Sequence, residues 1–313
     1  MPHAVRLVDR PIISPELDPS IGTNINGPSL IRAPRWLAEP LGRYYLYFAD
    51  HGGTFIRLAV ADELTGPWRV HTPGTLHLRD TPFDRHIASP DVRVDDANRQ
   101  VVMYYHGAGH ELATPVPEGQ TTCRATSSDG LSFRSEALAL GASYFRVFRW
   151  RSMWYALSNR ARLWRSGDDT ARFEPHPTGL GEALCRPREM VDRDDRPRYC
   201  PRHTAVRRRD DVLEVYFSRI GDAPEHLLMA RVPLADDWCD WRPEPPVSIL
   251  HPQPLWEGAD RPVEPSAGGA GRGRVCQLRD PAIFEDDDRT YLLYSVAGES
   301  GIGIAEVLPD AGP

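Results

Sequence analysis

The sequence predicts an all-β chain folded as a five-bladed β-propeller closed by an amino-terminal strand. Three observations carry that expectation. A unit of short aromatic and β-branched runs recurs five times along the 313 residues, and self-similarity at a fixed period marks arrays and propellers. Apolar residues show almost no helical periodicity, which disfavours an α/β architecture. The fifth copy stops after three runs, so a closed ring needs a strand from elsewhere. Ala4-Val5-Arg6-Leu7-Val8 can supply it.

The first copy reads Asn26-Gly27-Pro28-Ser29-Leu30-Ile31, then Tyr44 to Phe48, then Ile56 to Ala61, and ends in Gly66-Pro67-Trp68. The second opens with Ser89-Pro90-Asp91-Val92 and runs through Val101 to Tyr105 and Thr122 to Thr126. The third carries Tyr144 to Phe148, Met153 to Leu157 and Arg162 to Ser166. The fourth has His203-Thr204-Ala205-Val206, Leu213 to Phe217 and Leu227 to Arg231, and the fifth Asp280 to Phe284, Thr290 to Tyr294 and Ile302 to Glu306. Tyr, Val, Ile and Phe favour pleated, half-buried surfaces, and Asp-Asp or Asp-Gly pairs between the runs supply the turns. The expected organisation is one domain, 1–313, with blades at about 26–76, 86–141, 142–180, 202–250 and 279–308 plus the strand at 4–8. Two stacked sheets are the structural alternative, but a propeller closes radially and hides its edges.

Composition narrows the partners. With 41% hydrophobic and 26% charged residues the chain has an ordinary globular make-up. A net charge of −7 offers no global positive field for nucleic acid or an anionic membrane. No apolar run is long enough to span a bilayer. Lysine is absent, so Schiff-base, pyridoxal and P-loop lysine chemistry are excluded. Met1 to Pro15 lacks a secretory apolar core. Cys123, Cys185, Cys200, Cys239 and Cys276 are scattered, odd in number and without C-x-x-C spacing. They lead us to expect a reduced cytoplasmic protein with free thiols. Oligomeric state is not legible.

Up-and-down blades fix which loops share a face. The starts of the innermost strands, the ends of the second strands and the interblade connections collect Asn24, Asn26, Asp50, His51, His86, Asp91, His106, His110, Asn159, His203, Arg219, Arg279, Asp280 and Glu299 on one side. Three long connections, about 71–88, 181–202 and 251–278, also fall there. The last holds Trp256, Glu257, Glu264 and the run Gly268-Gly269-Ala270-Gly271. Long loops in compact domains are often lids or binding loops.

With Arg279-Asp280-Pro281-Ala282, Ser89-Pro90-Asp91-Val92 and Arg202-His203-Thr204-Ala205 on that face, the chain resembles the five-bladed propeller glycoside hydrolases. These are the arabinanase, xylosidase, levansucrase and invertase group, family 43 above all. The resemblance implies a small sugar or oligosaccharide substrate. In a register rotated by one blade it makes Asp280 the general base, Asp91 the aspartate that tunes the acid, and His203 the axial histidine facing a central ion or water. Ala142-Ser143 then stands where the acidic glutamate belongs. The acid comes from a loop, as Glu264 in preference to Glu257, or is a histidine, or is missing. Asn26, His51, His106, Arg219, Arg279 and Trp256 are the expected substrate-binding residues.

The chemistry explains why carboxylates are sought. Glycosidic cleavage uses one group to protonate the leaving oxygen and another to activate water or attack the sugar. Two other classes stay open. One is a metal-dependent hydrolase or lyase with a divalent cation on the axis, held by His203 and His86 together with Asp91 and His106, although no short metal-ligand spacing is present. The other is a non-catalytic binder, with Trp256 and Tyr144 stacking on sugar faces. No dinucleotide fingerprint, H-E-x-x-H or G-x-S-x-G motif occurs.

Overall fold

Tyr44 to Ala49 reads Tyr-Tyr-Leu-Tyr-Phe-Ala, and all six residues are buried. A strand apolar on both faces must be covered on both faces, and blades packed side by side do this. The computed structural model describes residues 2–109, 119–185, 199–271 and 273–309, and these form five sheets around an axis.

The first strand, β1 (His3–Arg6), stands apart from its neighbours in sequence. Blade one follows as β2 (Asn26–Arg32), β3 (Tyr44–Ala49), β4 (Phe55–Ala61) and β5 (Arg69–Val70), with β6 (Leu76–His77) added to β4. Blade two is β7 (His86–Asp95), β8 (Gln100–Ala108), β9 (Gln120–Ser127) and β10 (Arg134–Ser135), with β11 (Gly141–Ala142) on β9. Blade three is β12 (Arg146–Trp150), β13 (Met153–Leu157), β14 (Leu163–Ser166) and β15 (Glu174–Pro175). Blade four is β16 (Pro201–Arg209), β17 (Val212–Arg219), β18 (Leu227–Pro233) and β19 (Val247–Leu250). Blade five is β20 (Arg279–Asp286), β21 (Arg289–Ser295) and β22 (Ile302–Leu308), completed by β1.

Each pair of neighbouring blades shares a core. Leu46, Phe48 and Trp68 meet Leu293 and Ile304 between blades one and five. Tyr45, Tyr47 and Leu58 meet Val101, Met103 and Tyr105. Tyr104 meets Phe145 and Phe173, Tyr155 meets Leu213 and Trp241, and Tyr216 and Met229 meet Leu292 and Tyr294. At about 1.5–3 kcal/mol for each large side chain fully removed from water, the interfaces, not the single sheets, hold the ring. No helix among the described residues is long and apolar enough to cross a membrane.

The expected closure is present. β1 pairs antiparallel with β22, from His3 opposite Leu308 to Arg6 opposite Ala305. It is pinned by a buried network that overturns one sequence expectation. Glu257 does not overhang the polar face. Its side chain is fully buried, and its carboxylate accepts Arg6 Nε (2.8 Å), Arg6 Nη2 (2.6 Å), the Tyr294 hydroxyl (2.8 Å) and the Gln253 amide (3.1 Å). A carboxylate so committed has no free lone pair for catalysis.

The thiol expectation is corrected as well. Cys185 and Cys200 are joined in a disulfide, their Cα atoms 4.2 Å apart. Cys123, Cys239 and Cys276 are free.

Candidate active site

The same irregularity opens every innermost strand. Two residues face one on the neighbouring strand: Gly27-Pro28 in blade one, Ser89-Pro90 in blade two, Arg202-His203 in blade four and Asp280-Pro281 in blade five. In blade three Tyr144-Phe145 lie in the same way opposite Ser158, since Asn159 N donates to Ser143 O and Arg146 pairs with Leu157. Such bulges bend the strand and re-aim side chains, and they recur beside active sites. Gly27 takes the left-handed backbone (φ 57°) at no steric cost, but Ser89 (49°), Tyr144 (66°) and Asp280 (47°) hold it too. Each costs on the order of 1–3 kcal/mol and persists only where the surroundings over-determine it. Strain repeated at one end of the axis marks that end as the site.

Three of these residues meet. The Tyr144 ring stacks on His203 at 3.9 Å and 23°, and on its other side tilts over His106 at 4.0 Å. His203 Nδ1 bonds Asp280 Oδ1, and Asp280 Oδ2 accepts the Ser295 hydroxyl at 3.1 Å. Burial by itself would raise the Asp280 carboxyl. His203, with Arg202 and Arg279 behind it, more than offsets that and holds the carboxyl well below the usual range. Asp280 is ionised at neutral pH.

A second histidine–carboxylate pair stands beside the first. His51 Nδ1 lies 3.6 Å from Glu299 Oε1. Asn24 orders both partners, because its Nδ2 donates to Glu299 Oε2 (2.7 Å) and its Oδ1 accepts the His51 amide (2.8 Å). The hydrogen bond to Glu299 raises the half-buried His51 above 6.5 against its partial burial. Glu299 itself is pushed up by burial but lowered on balance, chiefly by His51, although Asp280 opposes this. Arg279 Nη1 reaches Glu299 Oε1 at 3.2 Å, and Asn26, buried, donates to Asn24 Oδ1 at 2.9 Å. His86 and His106 are driven the other way, first by burial, and stay neutral. Among the described residues His106 Nδ1 is buried without a hydrogen-bond partner.

This arrangement makes a pH prediction. A raised folded-state value means that His51 stabilises the fold fully below its ordinary 6.5 and loses that contribution as pH rises through the raised value. Glu299, lowered, contributes above its ordinary 4.5 and loses it on acidification. The His51 contribution to melting temperature therefore falls as pH rises from its ordinary 6.5 through the raised value, opposite in sign to that of the lowered His86 and His106, and His51→Asn removes this contribution. An unchanged alkaline slope in the variant would assign the titration to another group.

The structure thus gathers Asn26, His51, His86, His106, His203, Arg279 and Asp280 from the expected set. Other expectations are corrected. Asp91 lies two residues beyond Ser89, past the bulge. Its Oδ2 accepts the Val147 amide at 2.8 Å, as Ser29 Oγ accepts the Val92 amide at 2.8 Å one blade earlier. It braces blade two to blade three, faces Arg146, and is raised by burial. Trp256, partly buried, packs against the core between blades four and five. Arg219 Nε is spent on Leu184 O at 2.9 Å. Glu264 is exposed on its loop, whereas the carboxylate brought to Asp280 is Glu299. His110 lies outside the described residues.

For the expected axial cation, among the described residues no three His, Cys, Asp or Glu side chains converge as ligands, and His203 and His86 are not joined by a third.

Sequence reasoning missed the roles of Tyr144, Glu299 and the Arg202–Glu225 pair. Arg202 grips the fully buried Glu225 through Nε (2.7 Å) and Nη2 (2.8 Å) and reaches Ala267 O at 2.6 Å, so the Gly-rich loop is tied down over the site. The repeated strand openings were the signal that could have found Tyr144. Glu225 left none.

Comparison with known proteins agrees with the fold. No protein-family profile matches the sequence. Uncharacterized protein R118 of Acanthamoeba polyphaga mimivirus is 37% identical over 308 residues, spanning 91% of this chain and 83% of that protein. Among solved structures, CoXyl43, a GH43 β-xylosidase/α-arabinofuranosidase from a compost microbial metagenome, superposes with TM-score 0.61 at 12% identity over 99% of this chain and 96% of its own. The GH43_1 enzyme of Xanthomonas citri complexed with xylotriose gives 0.61 at 11% identity over 97% and 91%. An exo-1,5-α-L-arabinanase from a bovine ruminal metagenomic library gives 0.55 at 10% over 91% and 92%. The five-bladed propeller of family 43 is the fold of this chain.

Proposed function

This chain belongs to one family with the mimivirus protein R118, and from the geometry of its site and its propeller fold we propose that it is a glycoside hydrolase-like enzyme acting on a small sugar or oligosaccharide in the central funnel. The observation that carries the reading is the pair of histidine–carboxylate units in one mouth, Asp280 with His203 and Glu299 with His51. One unit is basic, since Asp280 stays ionised. The other is acidic in sense, since the hydrogen bond to Glu299 raises the proton affinity of His51. Opposed titrations in one cleft are how a single site runs acid and base chemistry together. The missing glutamate of the propeller glycosidases is then replaced by an imidazolium.

In the reaction the basic unit takes a proton from water as its oxygen attacks the anomeric carbon. The glycosidic C–O bond breaks with its electron pair on the leaving oxygen, and His51 protonates that oxygen. Both Asp280 oxygens are already bonded, which disfavours a glycosyl–carboxylate intermediate and favours direct displacement, so the product's anomeric configuration is inverted. Xylotriose in the solved neighbours makes pentosides the first substrates to try.

The test is a screen of nitrophenyl and alkyl glycosides of xylose, arabinose, galactose and fructose. We expect turnover of at least one sugar. His51→Asn then costs roughly a hundredfold in kcat with an alkyl leaving group, the lower range for a lost general acid, and about tenfold or less with nitrophenoxide, which hardly needs protonation. Equal losses on both leaving groups would remove His51 as the acid. Tight sugar binding with no turnover anywhere would mark a binding protein instead.

A further inference from the structure

Resting on the hydrolase reading, we propose that the atom receiving the proton from the attacking water is His203 Nε2, with Asp280 as a positioning residue that acts through it. The expectation for a propeller glycosidase is a carboxylate that touches the water directly, and the geometry here argues against that assignment. Asp280 keeps 4% side-chain exposure. Its Oδ1 is bonded to His203 Nδ1 and its Oδ2 to the Ser295 hydroxyl, so neither oxygen is presented to a ligand.

His203 is arranged in the complementary way. Its side chain keeps 14% exposure, and among the described residues only its Nδ1 is hydrogen-bonded. A carboxylate at Nδ1 fixes the tautomer with the proton on that nitrogen and leaves Nε2 as the lone-pair acceptor. The Tyr144 ring, stacked at 3.9 Å and itself braced by His106 at 4.0 Å, holds the imidazole plane. Nothing in this stack is needed to hold a bare carboxylate in place. It is what a base oriented by a third group requires.

The proton balance closes. Water gives a proton to Nε2 while its oxygen bonds to the anomeric carbon. The imidazolium so formed is stabilised by Asp280 and returns the proton to solvent after the product leaves. His51, having protonated the leaving oxygen, is recharged from solvent.

Two measurements on the full chain test this. The first uses the best nitrophenyl glycoside. His203→Ala lowers kcat at least about a hundredfold, added imidazole restores tenfold or more of the loss, and KM changes little. His203→Gln, which keeps a donor toward Asp280 but offers no base, stays equally slow at a near-normal melting temperature. This separates chemistry from folding. Either variant keeping most of its turnover, or a failure of imidazole to rescue, overturns the proposal and returns the base to Asp280.

The second needs no substrate. Nitrogen-15 NMR of histidine-labelled protein shows neutral His203 protonated at Nδ1 and bare at Nε2, and Asp280→Asn redistributes the tautomers. Neutral His203 carrying its proton on Nε2 overturns the proposal. A wild type that turns over no glycoside, yet shows the expected tautomer, sinks the glycosidase reading and leaves the proton-acceptor geometry of His203 standing.

Discussion

Asp280→Asn lowers kcat by at least about a hundredfold, and by up to about ten-thousandfold if the carboxylate fixes the histidine tautomer, while KM stays within a few-fold. Asparagine has nearly the same volume and tolerates the left-handed backbone that Asp280 adopts (φ 47°), so the bulge survives. What is lost is the charge that His203, Arg202 and Arg279 surround. The variant also loses an acid-side signature. A depressed folded-state value gives stability above the ordinary 3.8 that disappears as pH falls through the depressed value, and the asparagine variant lacks this contribution. Steady-state kinetics with acid melts of both proteins decide the matter, and near-normal turnover in the variant would falsify the whole assignment of the basic unit.

The second large effect is on stability. Arg6→Ala destabilises the fold by roughly 3–5 kcal/mol, the range for breaking a buried pair so that one charge is left uncompensated. The magnitude follows from asymmetry of exposure. Glu257 is fully buried, while the Arg6 side chain is 17% exposed, so removing the cation strands the anion in the core against Tyr294. Removing residues 1–10 is as harmful, because it takes away β1 and bares the edge of β22. Urea unfolding measures both. A midpoint like the wild type's would show that the amino-terminal strand does not hold the ring.

The fold was legible because each blade repeats one pattern, and burial on both faces forces aromatic and β-branched runs such as Tyr44 to Ala49. Asp280 and His203 were legible for a related reason, since they open innermost strands and topology alone turns such openings to one face. Asp91 was misread through a single inserted residue. The bulge gives the facing position to Ser89 and turns Asp91 to the next blade, and a one-residue shift is invisible in Ser-Pro-Asp-Val. Glu257 was misread because a loop glutamate looks the same whether it faces water or an arginine 251 residues away. Glu299 and His51 make the same point, since their pairing joins the second-strand ends of two blades whose adjacency exists only in the closed ring. The Cys185–Cys200 link was no more legible, because a separation of 15 residues does not by itself specify a partner.

The pairing of β1 with β22 also orders events in time. Blade five combines His3–Arg6 with Ile302–Leu308, so it cannot be complete until about 300 further residues have followed its first strand. At roughly 5–20 residues per second of synthesis, β1 waits about 15–60 s for its partner. During that interval β1 has no ladder to join, and neither Asp280 nor Glu299, both made late, is in place. Long-range closure of this kind is slow to form and exposes sheet edges while it waits. The polar mouth that holds Asp280 and Glu299 therefore comes into being only in the last step of assembly, and a nascent chain stalled before blade five lacks it and is prone to aggregate.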